Sequence, residues 1–532
     1  MVRGSKRADL IRPVVGGAVV LLSWAMLLRF VATHSFSLYD DAYIYLRYAQ
    51  NLVAGCGPTF NCGDSAVEGF TSPLYLFLLW VGVATTGDGA TWSQLLGTVG
   101  LAAVFAVAFI LARESTTAFG RSSHGDTHPS AQTGDLAPAP MFVGAATLAV
   151  LASDAYVLHN AVHGLETVYA ALFVCLWCLA LIRVQPVRMC VWSLCAVLIR
   201  PECGLFVLAL PFIPWLRRPR HVVLVVGGLA VMVAVRWFTF HDVVPNTYWA
   251  KSGGTWAHVV LGAAYLWEVV RDFPMVWSVG ILLLPGPRAR ERRLLVAVVA
   301  LWSLFFLRSG GDHFAYSRLA VPWVPAVTAW GLAMVYVAVS RWGTRGARPR
   351  RMGLAAVALL TAGLAMRATW KHRLPETHGF ENVERWSAVG RWLRAEHPKA
   401  VIATVPVGAI AYFAGLRTLD LVGITDRTVA RSGNGLPTAL VRRSWLGHER
   451  HDTAWILSQA PDLIVTTKFR ARPWTDLSEA KAGFYADWLI LQAIKRGDVS
   501  YEIYDAAITP DLHWLMYRKN QSARPEGSPR RP

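Results

Sequence analysis

Two adjacent carboxylates, Asp40 and Asp41, open the segment YDDAYIYLRYAQNLVAGCGPTFN just beyond an apolar run. A single aspartate there reads as a helix cap, because a carboxylate at a helix N-terminus accepts free amide hydrogens and meets the positive end of the dipole. A pair permits a division of labour in which one caps or orients and the other deprotonates an incoming hydroxyl as general base. The sequence leaves open which is which. Further charged groups stand at the ends of apolar runs: Glu68 in VEGFTSP, Glu166 in HGLET, Arg200 and Glu202 in RPE, Lys251 in PNTYWAK, and Asp312, His313 and Arg318 in GGDHFAYSR. Ionisable groups at a membrane boundary are costly unless paired or used. These are candidate substrate-binding residues, with snorkelling to headgroups, pairing of Arg200 with Glu202 and helix capping by Asp312 as the structural alternatives. Asn246, preceded by the turn-forming Pro245, either joins them or shapes its loop.

Other chemistries find no support in the spacing. His159 and His163 are four apart, but HNAVH lacks the acid that follows the first histidine in HExxH, and no GxxxxGK[ST] phosphate loop occurs. Five cysteines (Cys175, Cys178, Cys190, Cys195 and Cys203) lie in or beside apolar runs, where a thiol acts as a small hydrophobe. Cys56 and Cys62 flank GPTFN in a polar loop and are compatible with a small disulfide. No metal site and no cofactor is expected, although a divalent cation is compatible with the chemistry below. Tyr and Trp near the ends of runs form interfacial belts, and a few (Tyr43, Tyr248, Trp249) are placed to stack on a sugar.

The elements that must position these groups are membrane helices. Of the 532 residues, 54% are hydrophobic and 16% charged, and the apolar residues come in blocks as long as a bilayer is thick. The net charge of +18 would suggest nucleic acid in a soluble chain, but here the basic residues fill short gaps between apolar blocks and no nucleic-acid module is present. With the basic start in the cytoplasm, about eleven spans follow, near 11–33, 92–112, 140–158, 165–183, 188–200, 203–216, 221–240, 272–286, 293–308, 319–340 and 352–369. All basic gaps then fall inside. The segment 72–84 is read as re-entrant or interfacial, since counting it would turn every later basic gap outward. The loop 34–71 and the polar motifs above converge on the outer face.

After Trp370 the composition becomes ordinary, and short buried-strand patterns (VIATVPVGAIAYF, TLDLVGI, APDLIVTT) alternate with helical ones. The expected organisation is a polytopic α-helical membrane domain over 1–369, an extracytoplasmic α/β domain over 370–520, and a disordered tail over 521–532.

The motifs DDAYIYLRYAQNLVAGCGPTFN, EGFTSPLY, HGLET, RPE, PNTYWAK, GGDHFAYSR, AIAYFAGLRTLDLVGITDR and GHER, in this order, resemble the polytopic GT-C glycosyltransferases. They are most similar to the branch containing the mycobacterial terminal β-arabinofuranosyltransferases, and the likeness runs from about residue 38 to about 465. The resemblance implies a polyprenyl-phosphate sugar donor used outside the cytoplasm, a glycan or glycolipid acceptor, and an acidic base in the first outer loop, matched here by Asp40 and Asp41. It makes Arg200, Lys251, His313 and Arg318 the candidate cations for a departing lipid phosphate. Glu68, Glu166, Glu202, Asn246 and Asp312 would line the sugar pocket. A transporter or a non-catalytic envelope-assembly protein is the alternative, but transporters gather polar groups at mid-membrane in paired repeats, whereas here the acids collect at one surface.

Overall fold

The computed structural model describes residues 38–120, 138–251, 255–273, 275–276, 280, 289–312, 314, 316–341, 347–371, 380–432, 434–436, 448–476 and 484–520, with the isolated residue 25. The expected first span, the tail over 521–532 and most of the expected 272–286 span lie outside the described residues.

Among the described residues, three helices are long and apolar enough to cross a membrane: Gly89–Gly120, Pro219–Phe240 and Val321–Ser340. A fourth would come from Ala139–Ser153 and Ala155–Val162, which meet at a bend of 66°. The bend sits at Asp154, whose side chain accepts from the Val157 amide and starts the second helix afresh. Proline occupies the first turn of the Pro73–Thr86, Pro186–Ile199 and Pro219–Phe240 helices, where its missing N–H costs nothing.

Two local readings change. The run 203–216 is not one helix: a short Gly204–Ala209 helix gives way to the 3₁₀ turns Leu210–Phe212 and Pro214–Leu216, because Pro211 and Pro214 each remove a donor. A helix not foreseen, Trp256–Asp272, begins at a capping box in which Thr255 and His258 exchange bonds, and it packs against Ala289–Ser309. The expected 293–308 and 352–369 helices are present as Ala289–Ser309 and Ala347–Lys371.

The carboxyl-terminal region forms a five-stranded sheet in the order β2-β1-β3-β5-β4, with β1 Ile402–Thr404, β2 Thr418–Asp420, β3 Leu463–Arg470, β4 Tyr501–Thr509 and β5 Leu512–Lys519. β1 is parallel to β2 and β3, and β5 runs antiparallel to both β3 and β4. All three residues of β1 and of β2 are buried, which is the burial expected of short parallel strands covered on both faces.

One hydrophobic core joins this sheet to the first loop. Leu38, Tyr45, Leu46 and Tyr48 pack in the same cluster as Val389, Ile402, Ile410, Leu421 and Ile464. Polar ties reinforce the joint: buried Arg47 donates to the carbonyls of Phe60 (2.7 Å), Leu416 (2.6 Å) and Ala411 and to Asn61 Oδ1 (3.1 Å). Asn61 in turn exchanges bonds with the backbone of Thr418 at the sheet edge (2.9 and 3.0 Å). The Cys56–Cys62 disulfide closes the turn that presents Asn61. A second core holds the apolar helices together around the fully buried Trp177, Trp302 and Trp330.

Candidate active site

The Asp40–Val53 helix begins without a side-chain cap of its own, and its two leading carboxylates diverge. Asp40 reaches into the sheet region, where Oδ1 accepts from the Ala409 amide (2.7 Å) and Oδ2 from the Gly408 amide (3.1 Å). It thus caps the Ala409–Ala414 helix across 368 residues of chain. The approach requires glycine at 408, since a Cβ there would lie 1.9 Å from the Asp40 carbonyl oxygen. Burial pushes the Asp40 carboxyl up to about 7, opposed by the Ala409 bond and aided by the neighbouring charge of Asp41.

Asp41 turns the other way and lines a cavity of about 590 Å³. Its Oδ2 accepts from Arg318 Nη1 at 3.2 Å, and its side chain keeps 25% exposure, so a substrate can reach it. Arg318 is held by Asp312 through Nε (3.3 Å) and lies over the Phe314 ring at 4.1 Å. Burial works against its charge, but Asp312 and Asp41 outweigh it and hold the guanidinium above its ordinary value. Delivering Arg318 takes unusual backbone: Gly310, Gly311, Tyr316 and Ser317 all have positive φ. For the two non-glycine residues this costs about 1–3 kcal/mol each. At Gly311 (φ 88°) a Cβ would also strike Tyr265 Cβ at 2.5 Å.

A second guanidinium lines the same cavity. Arg200 meets Glu202 at 2.5 Å and Glu166 at 3.4 Å, all three nearly buried. Each of these two arginines thus faces two carboxylates, and its charge is fully spent. Arg200 Nη1 and Glu166 Oε2 nonetheless have no hydrogen-bond partner, leaving one buried donor and one buried acceptor in the wall. Lys251 and Arg308 differ: both are exposed, both line the cavity, and neither has an ion-pair partner among the described residues. The wall is completed by His258, 3.7 Å from Glu449 of the GHER motif.

Of the residues expected from sequence, Asp41, Glu166, Arg200, Glu202, Lys251, Asp312 and Arg318 converge on this cavity. Asp40, Glu68 and Asn246 do not line it. Glu68 is 2% exposed and forms a two-pronged pair with Arg236 (2.5 and 3.0 Å), fastening the first loop to the Pro219–Phe240 helix. Asn246 Nδ2 donates to the carbonyls of Gly423 (2.8 Å) and Ile424 (3.0 Å), fastening the sheet region to the 241–251 loop. Asp420, four positions before Ile424 at the entry to that turn, accepts from the amides of Val422, Gly423 and Thr425, which shapes TLDLVGITDR. Tyr43 packs on Tyr412 and Phe413 instead of facing the cavity. His313 lies outside the described residues. Sequence reasoning missed Arg308, His258 and Glu449; Arg308 and Glu449 stand in RSGGDHFAYSR and GHER, but a lone charge in a motif does not say which wall it joins, and His258 stands in no motif at all. Among the described residues no group of three or more histidines, cysteines or acids is placed to hold a metal.

Two solved structures share this architecture. ArnT from Cupriavidus metallidurans bound to undecaprenyl phosphate aligns with a TM-score of 0.52 at 14% identity, covering 96% of this chain and 99% of that one. Its apo form gives 0.52 and 14% over 98% and 100%. The chain has the fold of ArnT. Within that fold, the cavity lies where the first described loop, the 309–318 loop and the sheet region meet. In sequence, the terminal beta-(1->2)-arabinofuranosyltransferase of Mycobacterium tuberculosis (strain ATCC 25618 / H37Rv) is 28% identical over 332 residues, 53% of this chain and 49% of the relative. The chain therefore matches about half the length of that curated relative. A family model described as a domain of unknown function, DUF8728, matches residues 375–504, which take in β1, β2 and β3.

Proposed function

We propose that the chain is a membrane glycosyltransferase that moves a sugar from a polyprenyl-phosphate donor to a glycan or glycolipid acceptor, with Asp41 as general base. The observation that carries this reading is the divergence of the aspartate pair: Asp40 is consumed as a cap, while Asp41 faces the cavity beside Arg318. The acceptor hydroxyl attacks the anomeric carbon, its proton passes to the Asp41 carboxylate, and the bond from that carbon to the phosphate oxygen breaks with its electron pair leaving on the lipid phosphate. Arg318 pairs with the Asp41 carboxylate and aims it into the cavity. Lys251 and Arg308, whose charges are unspent, receive the departing phosphate at the cavity mouth. Glu166 Oε2, which has no hydrogen-bond partner, offers an acceptor to sugar hydroxyls, and Arg200 Nη1, held 3.4 Å from Glu166 Oε1, offers a donor.

Arabinofuranose is the sugar favoured by the name of the curated relative, and a polyprenyl phosphate is favoured by the ligand of the ArnT structure. The same reading puts the amino terminus in the cytoplasm and the sheet region outside, with the first loop folded onto the sheet. The test is release of polyprenyl phosphate and formation of glycoside by purified protein in nanodiscs supplied with a polyprenyl-phosphate pentose and an oligosaccharide acceptor. Asp41→Asn should lower kcat by about 10²–10⁴, while Asp40→Asn should act on stability first. Equal, wild-type rates in both variants would sink the assignment.

A further inference from the structure

Between the helix start that carries Asp41 and the loop that carries Arg318 lies a third segment that touches both. It is the Ala155–Val162 helix with its C-cap His163, the HNAVH motif that looked like half a zinc site in the sequence. Toward Asp41, the His163 carbonyl accepts from the Tyr39 amide at 3.1 Å, and the His163 ring sits 4.8 Å from the Tyr39 ring. Toward Arg318, Asn160 Nδ2 donates to the Tyr316 carbonyl at 2.9 Å, and the His159 ring stacks on Tyr316 at 4.2 Å and 9°. The two imidazoles close the bracket, with His159 Nδ1 3.3 Å from His163 Nε2. Tyr39 also meets Phe314, the ring that carries the Arg318 guanidinium. His159, Asn160 and His163 are all buried.

We propose that Asn160 and His159 are positioning residues: they hold Tyr316 and Ser317 in the left-handed backbone that delivers Arg318 to Asp41, while His163 sets Tyr39 at the other end. One rigid turn of helix thereby fixes the separation of base and cation from both sides. Left-handed tyrosine and serine persist only where their surroundings over-determine them, and the Asn160 bond and the His159 stack are among the contacts that do so here, with the Tyr156 ring against Tyr316 and the Ala320 amide on the Ser317 carbonyl. Their effect on rate rests on the reading of Asp41 as base; their effect on the 309–318 loop does not.

The experiment uses the full chain in nanodiscs with Asn160→Ala, His159→Ala and His159→Phe. Hydrogen exchange of the 309–318 peptide should rise in both alanine variants. Their kcat should fall about tenfold, the scale of one lost buried hydrogen bond to a neutral or charged partner, with KM for the lipid donor unchanged. His159→Phe, which keeps the stacked ring, should recover most of the exchange protection and rate; it also keeps the proposal testable where an alanine variant folds poorly. Unchanged exchange in the alanine variants would overturn the bracket, as would a His159→Phe defect equal to that of His159→Ala. Stoichiometric zinc in the wild type, lost with His159, would replace it with a metal site. If the wild type transfers no sugar, the proposed function fails while the exchange data still decide the bracket.

Discussion

Arg318→Ala should destabilise the protein in a way that acid relieves. Arg318 is 9% exposed and joins Asp312, whose side chain is 3% exposed, to Asp41 at 25%. Removing one partner of a buried pair costs about 3–5 kcal/mol because an uncompensated charge remains. Nearly all of that cost falls on Asp312, since Asp41 is open enough for water to screen it. A loss of about 3 kcal/mol is therefore expected. Asp312, deprived of the guanidinium charge that faces it, gains by taking up a proton, so the folded variant binds protons more tightly than its unfolded chain and loses stability as pH rises. The deficit in thermal midpoint, followed by tryptophan fluorescence in nanodiscs, should be largest at pH 8 and shrink toward pH 5. Arg318→Ala combined with Asp312→Asn should recover most of it at pH 8. A deficit independent of pH, or no recovery in the double variant, would refute the idea that the Arg318 guanidinium organises this wall by neutralising the buried Asp312.

Asp40 titrates with a sign that can be checked separately. Its carboxyl is pushed up to about 7 by burial, so its contribution to stability is full below the unfolded value near 4 and is lost as pH rises through 7; Asp40→Asn should flatten that part of the pH profile of the thermal midpoint. Lys251→Ala and Arg308→Ala should each raise KM for the lipid donor and reduce its salt dependence, read from initial rates between low and physiological ionic strength. Glu68→Ala leaves Arg236 unpaired in the joint between the first loop and the Pro219–Phe240 helix, and should cost about 3 kcal/mol of stability, measured by thermal unfolding; KM should stay at the wild-type value because neither residue lines the cavity.

Much of the architecture was legible where composition dominates. The Gly89–Gly120 and Pro219–Phe240 helices announce themselves by length and hydropathy alone. The Trp256–Asp272 helix did not, because His258, Glu268, Arg271 and Asp272 dilute its apolar signal, and its identity comes from packing on Ala289–Ser309. The run 203–216 erred the other way: apolar content hid two prolines that forbid a continuous helix. In the site, GGDHFAYSR was legible as a unit, and its Asp312 and Arg318 do meet. Glu68 looked equally functional, yet its partner Arg236 lies 168 residues on, a pairing that no local pattern reveals.

The sequence by itself determined that apolar helices precede a strand-bearing region, and that acids and cations gather at helix ends, because burial of apolar length and the cost of burying charge are written in residue type and spacing. Only the tertiary structure decided which aspartate faces the cavity. Asp40 and Asp41 are identical in type and adjacent in chain, but one helix start points them apart, toward Gly408 and toward Arg318. A carboxylate's role is set by the groups that reach it, and here those groups come from 277 and 368 residues away.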